Sequence, residues 1–238
     1  MKTDKKLFLS QVNGNIPRDK PMVFWDTCAL LDILRIPVRK ELSINDLTCY
    51  ENIADCIERE RIVSVTSGLV LKELLDHYEN ERRNLLRKQD GLKRDVTNYA
   101  SYMESESKKR RITSAIELLN AEPRLVRLLN RIMKHTFIIR EADTYRGFAD
   151  YRVRNGLAPG RRSEYKDCYI WGTFLKLVHK LNPASSYIAF MTTNKRDYPE
   201  NDPQLTRDCY LRSMCITLHI GQLKGGIDGA LNANQQNP

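Results

Sequence analysis

Residues 21–34 read PMVFWDTCALLDIL. The apolar run Met22–Trp25 ends at Asp26, and leucines then recur at helical spacing, at positions 30, 31 and 34. A short apolar run is typical of a strand that is buried on both faces, and the leucine spacing predicts a helix directly after it. The stretch therefore predicts a strand–helix unit with a carboxylate at the junction.

The rest of the chain repeats this order of elements. Strands are predicted at 61–66, 136–139, 186–193 and 214–220, and helices at 46–60, after 66, within 80–135 and after 160. The strands are short and never at hairpin spacing, which favours an α/β fold with a central parallel sheet between two helical layers. We expect one domain over 21–230 with a basic helical insertion at about 81–135, a polar segment at 1–20 and a disordered tail at 231–238.

The composition disfavours several classes of protein. The 238 residues are 41% hydrophobic and 29% charged, as is usual for a globular domain. No apolar run approaches the ~20 residues of a membrane helix, and the first residues lack the apolar core of a signal peptide, so we expect a cytoplasmic protein. The cysteines form no Cys-x-x-Cys pair and the phosphate-binding pattern G-x-x-x-x-G-K-[ST] is absent, which disfavours a zinc site and an NTPase.

Positive charge is concentrated in one part of the chain. The net charge is +9, and residues 81–140 alone hold 15 basic and 7 acidic side chains, a net of +8. A localised excess favours an anionic partner, nucleic acid first, although a solvated helical face stays the alternative. The basic side chains of the segment that we expect to face solvent are Arg82, Arg83, Arg87, Lys88, Lys93 and Arg94. The candidate nucleic-acid contacts are Lys108, Lys109, Arg110, Arg111, Arg161 and Arg162.

Acidic residues recur where the predicted strands end, and ligands of an open parallel sheet bind outside the carboxyl ends of its strands. Asp26 follows the first strand, Glu73 lies in the first turns of the helix after the second, and Asp197 follows the fourth. Asp167 lies on the core-facing stripe of the helix after 160. Carboxylates in an apolar setting repel one another, so we expect them to be paired with Lys or Arg or to bind a metal ion.

Each of these polar residues also has a purely structural interpretation. Asp26 could cap a helix, Asp167 could complement a helix dipole, and Glu73 could lie at the surface. Asn194 and Asp197 could form a turn, which is the usual use of N-x-x-D. Their joint placement favours a site for a hard cation, and we expect the four carboxylates to converge in space.

Four segments also resemble the ordered motifs of PIN-domain nucleases. They are VFWDTCALLDIL at 23–34, VTSGLVLKELLDH at 65–77, GRRSEYKDCYIWGTFL at 160–175 and FMTTNKRDY at 190–198. The set is most similar to a bacterial PIN-like branch with a helical insertion, and it leaves residues 81–135 unexplained. The resemblance implies an endonuclease that depends on Mg²⁺ or Mn²⁺ and hydrolyses phosphodiester bonds, more often of RNA than of DNA.

The resemblance also assigns roles to individual residues. The catalytic residues and metal ligands would be Asp26, Glu73, Asp167 and Asp197, and the supporting residues Thr192, Asn194 and Glu164. Many family members carry Asp where Asn194 stands here, which removes one negative charge and leaves open whether one or two metal ions bind. A divalent cation held by oxygen ligands suits phosphodiester hydrolysis, since it neutralises the phosphate and activates water.

The function expected from these features is that of a metal-dependent ribonuclease, as a toxin or defence effector. Control by an inhibitor or partner protein and assembly as a homodimer are left open. A non-catalytic nucleic-acid-binding module on the same fold is the main alternative. A phosphatase is disfavoured, because Asp26 is followed by Thr27 and Cys28 and not by the Asp-x-Asp pair of that chemistry.

Overall fold

The computed structural model describes residues 16–102, 121–140, 143–162, 164–181, 187–210 and 214–236. Five parallel strands form one sheet in the order β3-β2-β1-β4-β5, with β1 in the centre. The strands are β1 (Met22–Trp25), β2 (Val63–Ser67), β3 (Thr136–Ile139), β4 (Ile188–Met191) and β5 (Cys215–Thr217). None of the helices within the described ranges is both long and apolar enough to cross a membrane.

Helices cover both faces of this sheet. They are α1 (Thr27–Arg35), α2 (Ile44–Glu58), α3 (Gly68–Ser101), α4 (Ala121–Lys134), α5 (Asp143–Arg154), α6 (Tyr165–Leu181), α7 (Pro203–Tyr210) and α8 (Ile220–Gln236). Neighbouring side chains of β1 point to opposite faces. Phe24 packs against Phe174 of α6, with ring centroids 5.4 Å apart, whereas Trp25 stacks on Tyr50 of α2 at 6.3 Å. The expected three-layer α/β/α fold is therefore confirmed.

Helices α1 and α3 begin at the carboxyl edge of the sheet and run side by side away from it. Thr27 donates a hydrogen bond to Glu73 at 2.8 Å, and Arg35 forms an ion pair with Glu81 at 2.7 Å. The two contacts are eight residues apart on each helix (35 − 27 and 81 − 73), so the helices run in the same direction. Because α3 has 20 more residues after Glu81 (101 − 81), it extends about 30 Å beyond that contact.

The helix that carries Glu73 is thus continuous with the predicted insertion, and no boundary exists at residue 81. Gly91 alone does not end the helix, since one glycine costs only about 1 kcal/mol in a long run of good helix formers. The apolar stripe changes character along the helix, because Leu85 is fully buried whereas Leu92 and Tyr99 are 50% and 79% exposed. Residues 103–120 of the predicted insertion lie outside the described ranges.

In the carboxyl half of the chain, one further prediction differs from the structure and one helix was not predicted. The tail was expected to be disordered from residue 231, but α8 continues to Gln236, so that prediction is wrong for 231–236. The polar composition of the tail hid the helix, whose buried residues Leu223 and Ile227 anchor it on the core. Helix α5 was not predicted, because the buried face of this helix carries an arginine, Arg152, where periodicity requires an apolar residue.

The buried guanidinium of Arg152 joins three helices. It is 2% exposed and donates to Asp208 of α7 at 2.8 Å and to the carbonyl oxygen of Ala158 at 2.7 Å. Trp171 of α6 donates to the same carboxylate oxygen of Asp208 at 3.1 Å. This network fixes α6, the helix that carries Asp167, against α5 and α7.

We expect Asp208→Ala to lower the free energy of unfolding by about 3 kcal/mol, because it leaves the charge of Arg152 buried without its carboxylate partner. For a chain of this length the melting temperature should fall by roughly 6 °C or more. Asp150→Ala removes an exposed carboxylate of α5 and should change the stability by less than about 0.5 kcal/mol. Equal stability of the two variants in thermal melts would contradict the assignment.

Candidate functional site

The four predicted acids all lie at the carboxyl edge of the sheet. Asp26 follows β1 directly and is the N-cap of α1, and Glu73 lies in the second turn of α3, which follows β2. Asp197 lies in the loop after β4, and Asp167 lies in the first turn of α6. Parallel strands all end at this edge, so the topology collects residues that are as far as 171 positions apart (197 − 26).

Asp26 is almost completely buried, at 3% exposure, and its own chain satisfies both oxygens. Its Oδ1 accepts from the backbone N of Thr27 at 2.7 Å, so the capping role that the sequence left open is confirmed. Its Oδ2 accepts from the hydroxyl of Thr192 at 2.6 Å and from the thiol of Cys28 at 3.0 Å. Burial raises the pKa of Asp26, these hydrogen bonds oppose the rise, and the charge of Glu73 adds to it.

Glu73 is held by two partners and is not a free surface residue. Its side chain is 17% exposed, and its Oε2 accepts from the hydroxyl of Thr27 at 2.8 Å. Its Oε1 lies 3.1 Å from the Nζ of Lys166, which comes from α6. Glu73 therefore connects α3 to both α1 and α6.

The negative charge of every other acid of the site acts on the carboxyl group of Asp167. Burial raises the pKa of Asp167, and the charges of Asp26, Asp197, Glu73 and Glu164 raise it further, to about 8. These four residues come from four separate segments of the chain, and each of them acts on the same carboxyl group. The residues therefore form one electrostatic unit, which we call the acidic cluster: Asp26, Glu73, Glu164, Asp167 and Asp197.

The loop after β4 is organised by the predicted supporting residues. Thr192 donates to Asp26 and accepts from the backbone N of Asn194 at 3.1 Å. The side-chain oxygen of Asn194 accepts from the backbone N of Asp197 at 3.3 Å, so the turn-forming role of N-x-x-D is confirmed. Arg196 lies 3.8 Å from Asp197 and 3.3 Å from Glu164, and it partly balances the charge of both acids.

Four residues of the site were not singled out from the sequence. Thr27 and Cys28 hold the carboxylates of the first two acids, and their position in the first turn after Asp26 was the available signal. Tyr198 donates from its hydroxyl to the backbone oxygen of Asp167 at 3.0 Å. The ion pair of Lys166 with α3 had no sequence signal, because it depends on how two helices pack.

The donor chemistry of the acidic cluster fits a hard divalent cation, although no coordination shell is assembled. Carboxylate oxygens are the ligands that Mg²⁺ and Mn²⁺ prefer. Over the described ranges, however, no group of three or more His, Cys, Asp or Glu side chains is arranged to hold a metal ion. Hydrogen bonds from Thr27, Thr192 and Cys28 and the ammonium of Lys166 occupy oxygens of Asp26 and Glu73 instead.

The predicted nucleic-acid contacts are only partly visible. Lys108, Lys109, Arg110 and Arg111 lie outside the described residues. Arg161 forms an ion pair with the fully buried side chain of Asp202, so it ties the loop before α6 to the start of α7. Arg162 is exposed beside the first turn of α6 and stays a candidate contact.

Part of the positive charge of residues 81–140 is neutralised within the fold. Arg82 was expected to face solvent, but it is half-buried and pairs with Glu122 at 2.5 Å. Arg124 pairs with Glu51 of α2 at 2.8 Å, and Arg131 pairs with two further acids of the same helix. Helix α4 thus uses its arginines to pack on α2. Between residues 81 and 101, the exposed basic residues of α3 are Arg83, Arg87, Lys88 and Arg94, whereas Lys93 is partly buried.

We expect Asp167→Asn to stabilise the metal-free protein at pH 8. The pKa of Asp167 is about 8 in the folded chain and about 4 when unfolded, so the folded state loses stability as the pH rises from about 4 to 8. A difference of one pH unit in pKa is worth about 1.4 kcal/mol, so the melting temperature should rise by roughly 3 °C or more at pH 8 in EDTA. The gain should shrink towards pH 4.

Asp76→Asn is the control for that measurement, because Asp76 is an exposed carboxylate on α3, outside the acidic cluster. Its melting temperature should follow that of the wild type at every pH. A lower melting temperature for Asp167→Asn at pH 8 would mean that the carboxylate supports the fold.

Comparisons with known proteins identify no relative of this chain. No protein-family model, no curated protein and no solved structure matches the chain.

Proposed function

We propose that the chain is an endonuclease that depends on Mg²⁺ or Mn²⁺ and hydrolyses phosphodiester bonds, of RNA ahead of DNA. The observation that supports this most is the pKa of Asp167, which burial and four neighbouring carboxylates raise to about 8. Such crowding costs free energy of folding and is typical of functional sites. A divalent cation would neutralise the cluster, and its charge would also attract a phosphodiester.

The residues that would hold the cation are Asp26, Glu73, Asp167 and Asp197. When bound, the cation would neutralise charge on the phosphate and lower the pKa of a water molecule. The chain itself positions the carboxylates: Thr192 holds Asp26 at 2.6 Å, and Thr27 holds Glu73 at 2.8 Å. These threonines are 0% and 8% exposed, respectively, so the orientation of both acids is fixed before any ligand arrives.

Basic residues near the cluster would receive the substrate. Lys166 and Arg196 flank the acids at 3.1 and 3.8 Å from Glu73 and Asp197, and both basic side chains are more than half exposed. Carboxylates alone would repel a polyanion, so these cations would lower the barrier to its approach. Together with exposed Arg162, they would contact the phosphates next to the scissile bond.

The exposed arginines of α3 would contact the nucleic acid further away. Arg83, Arg87 and Arg94 lie 10, 14 and 21 residues after Glu73, which corresponds to about 15, 21 and 32 Å along the helix. A strand that rises ~3.4 Å per nucleotide would need roughly four to nine nucleotides to span these distances. The arginines would therefore raise affinity for longer substrates without touching the bond that is cleaved.

A non-catalytic nucleic-acid-binding module is the second candidate, and one observation favours it. Both oxygens of Asp26 accept hydrogen bonds from donors of the chain itself, which is what a purely structural helix cap requires. The proposed role as a toxin or defence effector rests on the resemblance to PIN-domain nucleases, and control by an inhibitor or partner protein and assembly as a homodimer remain proposals beside it. The proposed cytoplasmic location rests on the sequence, which has no membrane-length apolar run and no signal-peptide pattern.

We expect the purified protein to cleave labelled single-stranded RNA with Mg²⁺ or Mn²⁺ and not with EDTA, and to cleave DNA of the same sequence more slowly. Glu73→Gln and Asp167→Asn should each reduce the cleavage rate by roughly a hundredfold or more, because metal-assisted charge stabilisation is worth several kcal/mol and each 1.4 kcal/mol is a factor of about ten.

Asp76→Asn again provides the matched control, because it changes an acid three residues from Glu73 on the same helix. It should keep the wild-type rate. Nucleic-acid binding without cleavage by the folded wild-type protein would favour the binding module. Equal rates for Asp167→Asn and the wild type would exclude the acidic cluster as the catalytic site.

The exposed arginines of α3 give a second prediction. Replacing Arg83, Arg87 and Arg94 by Gln should weaken RNA binding and reduce the slope of log affinity against log salt concentration by about 0.7 for each phosphate that the variant no longer binds. The single-turnover rate at saturating RNA should stay unchanged, because these residues lie far along α3 from Glu73.

Arg124→Gln removes a positive charge that is already paired with Glu51 and should alter the slope little. An unchanged slope in the triple variant would mean that this face of α3 is an ordinary solvated surface or binds another protein.

A further inference from the structure

We infer that the ammonium group of Lys166 serves as a resident cation of the acidic cluster and exchanges with a divalent metal ion at the carboxylate of Glu73. The inference deepens the proposed function and rests on its metal site. The contact that carries it is the 3.1 Å distance between Nζ of Lys166 and Oε1 of Glu73, which joins α6 to α3 across the cluster.

Lys166 supplies the nearest positive charge to the proposed metal ligands. Within the described part of the chain, only two of these four carboxylates have a lysine or arginine nitrogen within 4 Å. Glu73 has Lys166 at 3.1 Å, and Asp197 has Arg196 at the longer distance of 3.8 Å. The cluster thus already holds two cations, and Lys166 is the one at the end where α3 and α6 meet.

The two oxygens of Glu73 are held in different ways. Oε2 accepts from Thr27, a residue that is 8% exposed and fixed in the first turn of α1. Oε1 faces an ammonium whose side chain is 66% exposed and extends through water. An ion pair with a largely exposed lysine contributes modest net free energy, because water screens the ammonium and the long side chain loses entropy. Lys166 can therefore leave Oε1 at low cost, while Thr27 keeps the carboxylate in place.

The exchange has a measurable consequence for metal affinity. A metal ion that uses Glu73 must displace the ammonium and must also overcome its like charge. Removing the charge of Lys166 removes both penalties, whereas a structural bridge between α6 and α3 would have the opposite effect, since its loss would loosen the site. The direction of the change in affinity separates the two roles.

The test measures Mn²⁺ affinity from the electron paramagnetic resonance signal of free Mn²⁺, with no substrate present. Lys166→Gln should bind Mn²⁺ about fivefold more tightly than the wild type, equivalent to ~1 kcal/mol, and Lys166→Arg should stay close to the wild type. Lys180→Gln is the matched control: this lysine is exposed on the same helix, about 21 Å further along, and its removal changes the net charge equally. Its affinity should match the wild type.

A double-mutant cycle tests the route through Glu73. In a Glu73→Gln background, Lys166→Gln should no longer tighten binding. Unchanged or weaker binding by Lys166→Gln in the wild-type background, or equal tightening by Lys180→Gln, overturns the exchange. A thermal melt of each variant shows whether it is folded.

The outcomes also separate this inference from the proposed function. If the wild type binds Mn²⁺ and cleaves RNA while Lys166→Gln binds Mn²⁺ no more tightly, the exchange at Glu73 is excluded and the proposed nuclease activity is supported. If Lys166→Gln binds Mn²⁺ more tightly but neither the wild type nor any variant cleaves nucleic acid, the exchange is supported and the proposed nuclease activity is excluded. Absence of Mn²⁺ binding in every variant overturns both.

Discussion

Repulsion among buried and partly buried carboxylates is the constraint on which the rest of the site depends. Asp167 lies within the field of four other acids, and burial removes the water that would screen them, which is why its pKa rises to about 8. The fold opposes this repulsion with fixed donors from Thr27, Cys28 and Thr192 and with the cations Lys166 and Arg196. These partners reduce the negative charge of the cluster without cancelling it, and that residual charge is the strongest argument for a cationic ligand.

The order of the elements and the placement of the acids could be predicted from the sequence, because both depend on local patterns. The run Met22–Trp25 before Asp26 is a strand that ends at a helix cap, and this unit needs no information from elsewhere in the chain. Parallel pairing then brings every such junction to one edge. The topology, rather than any single motif, places Asp26 near Asp197.

What could not be predicted depends on contacts between helices. The charge of Arg152 is buried only because Asp208 and Ala158 reach it from other elements, so periodicity missed α5. The charge of Arg82 is balanced by the carboxylate of Glu122, which lies beside it although it comes 40 positions later in the chain. The ion pair of Lys166 with Glu73 also depends on how α6 packs on α3, because the two residues are 93 positions apart in the chain (166 − 73). A sequence window contains the charges but not their partners.

The continuity of α3 changes how the basic segment relates to the acidic cluster. A separate insertion could fold back over the acids, but a continuous helix with Glu73 near its start carries its exposed arginines away from them at about 1.5 Å per residue. Its neutralised arginine, Arg82, lies beside α4, whereas Arg87 and Arg94 lie beyond the end of α1. Negative charge thus collects at the start of α3 and exposed positive charge along its outer half. A polyanion that binds the outer half of α3 would need to follow the helix axis to reach the acids, so a strand of several nucleotides suits this geometry better than a mononucleotide.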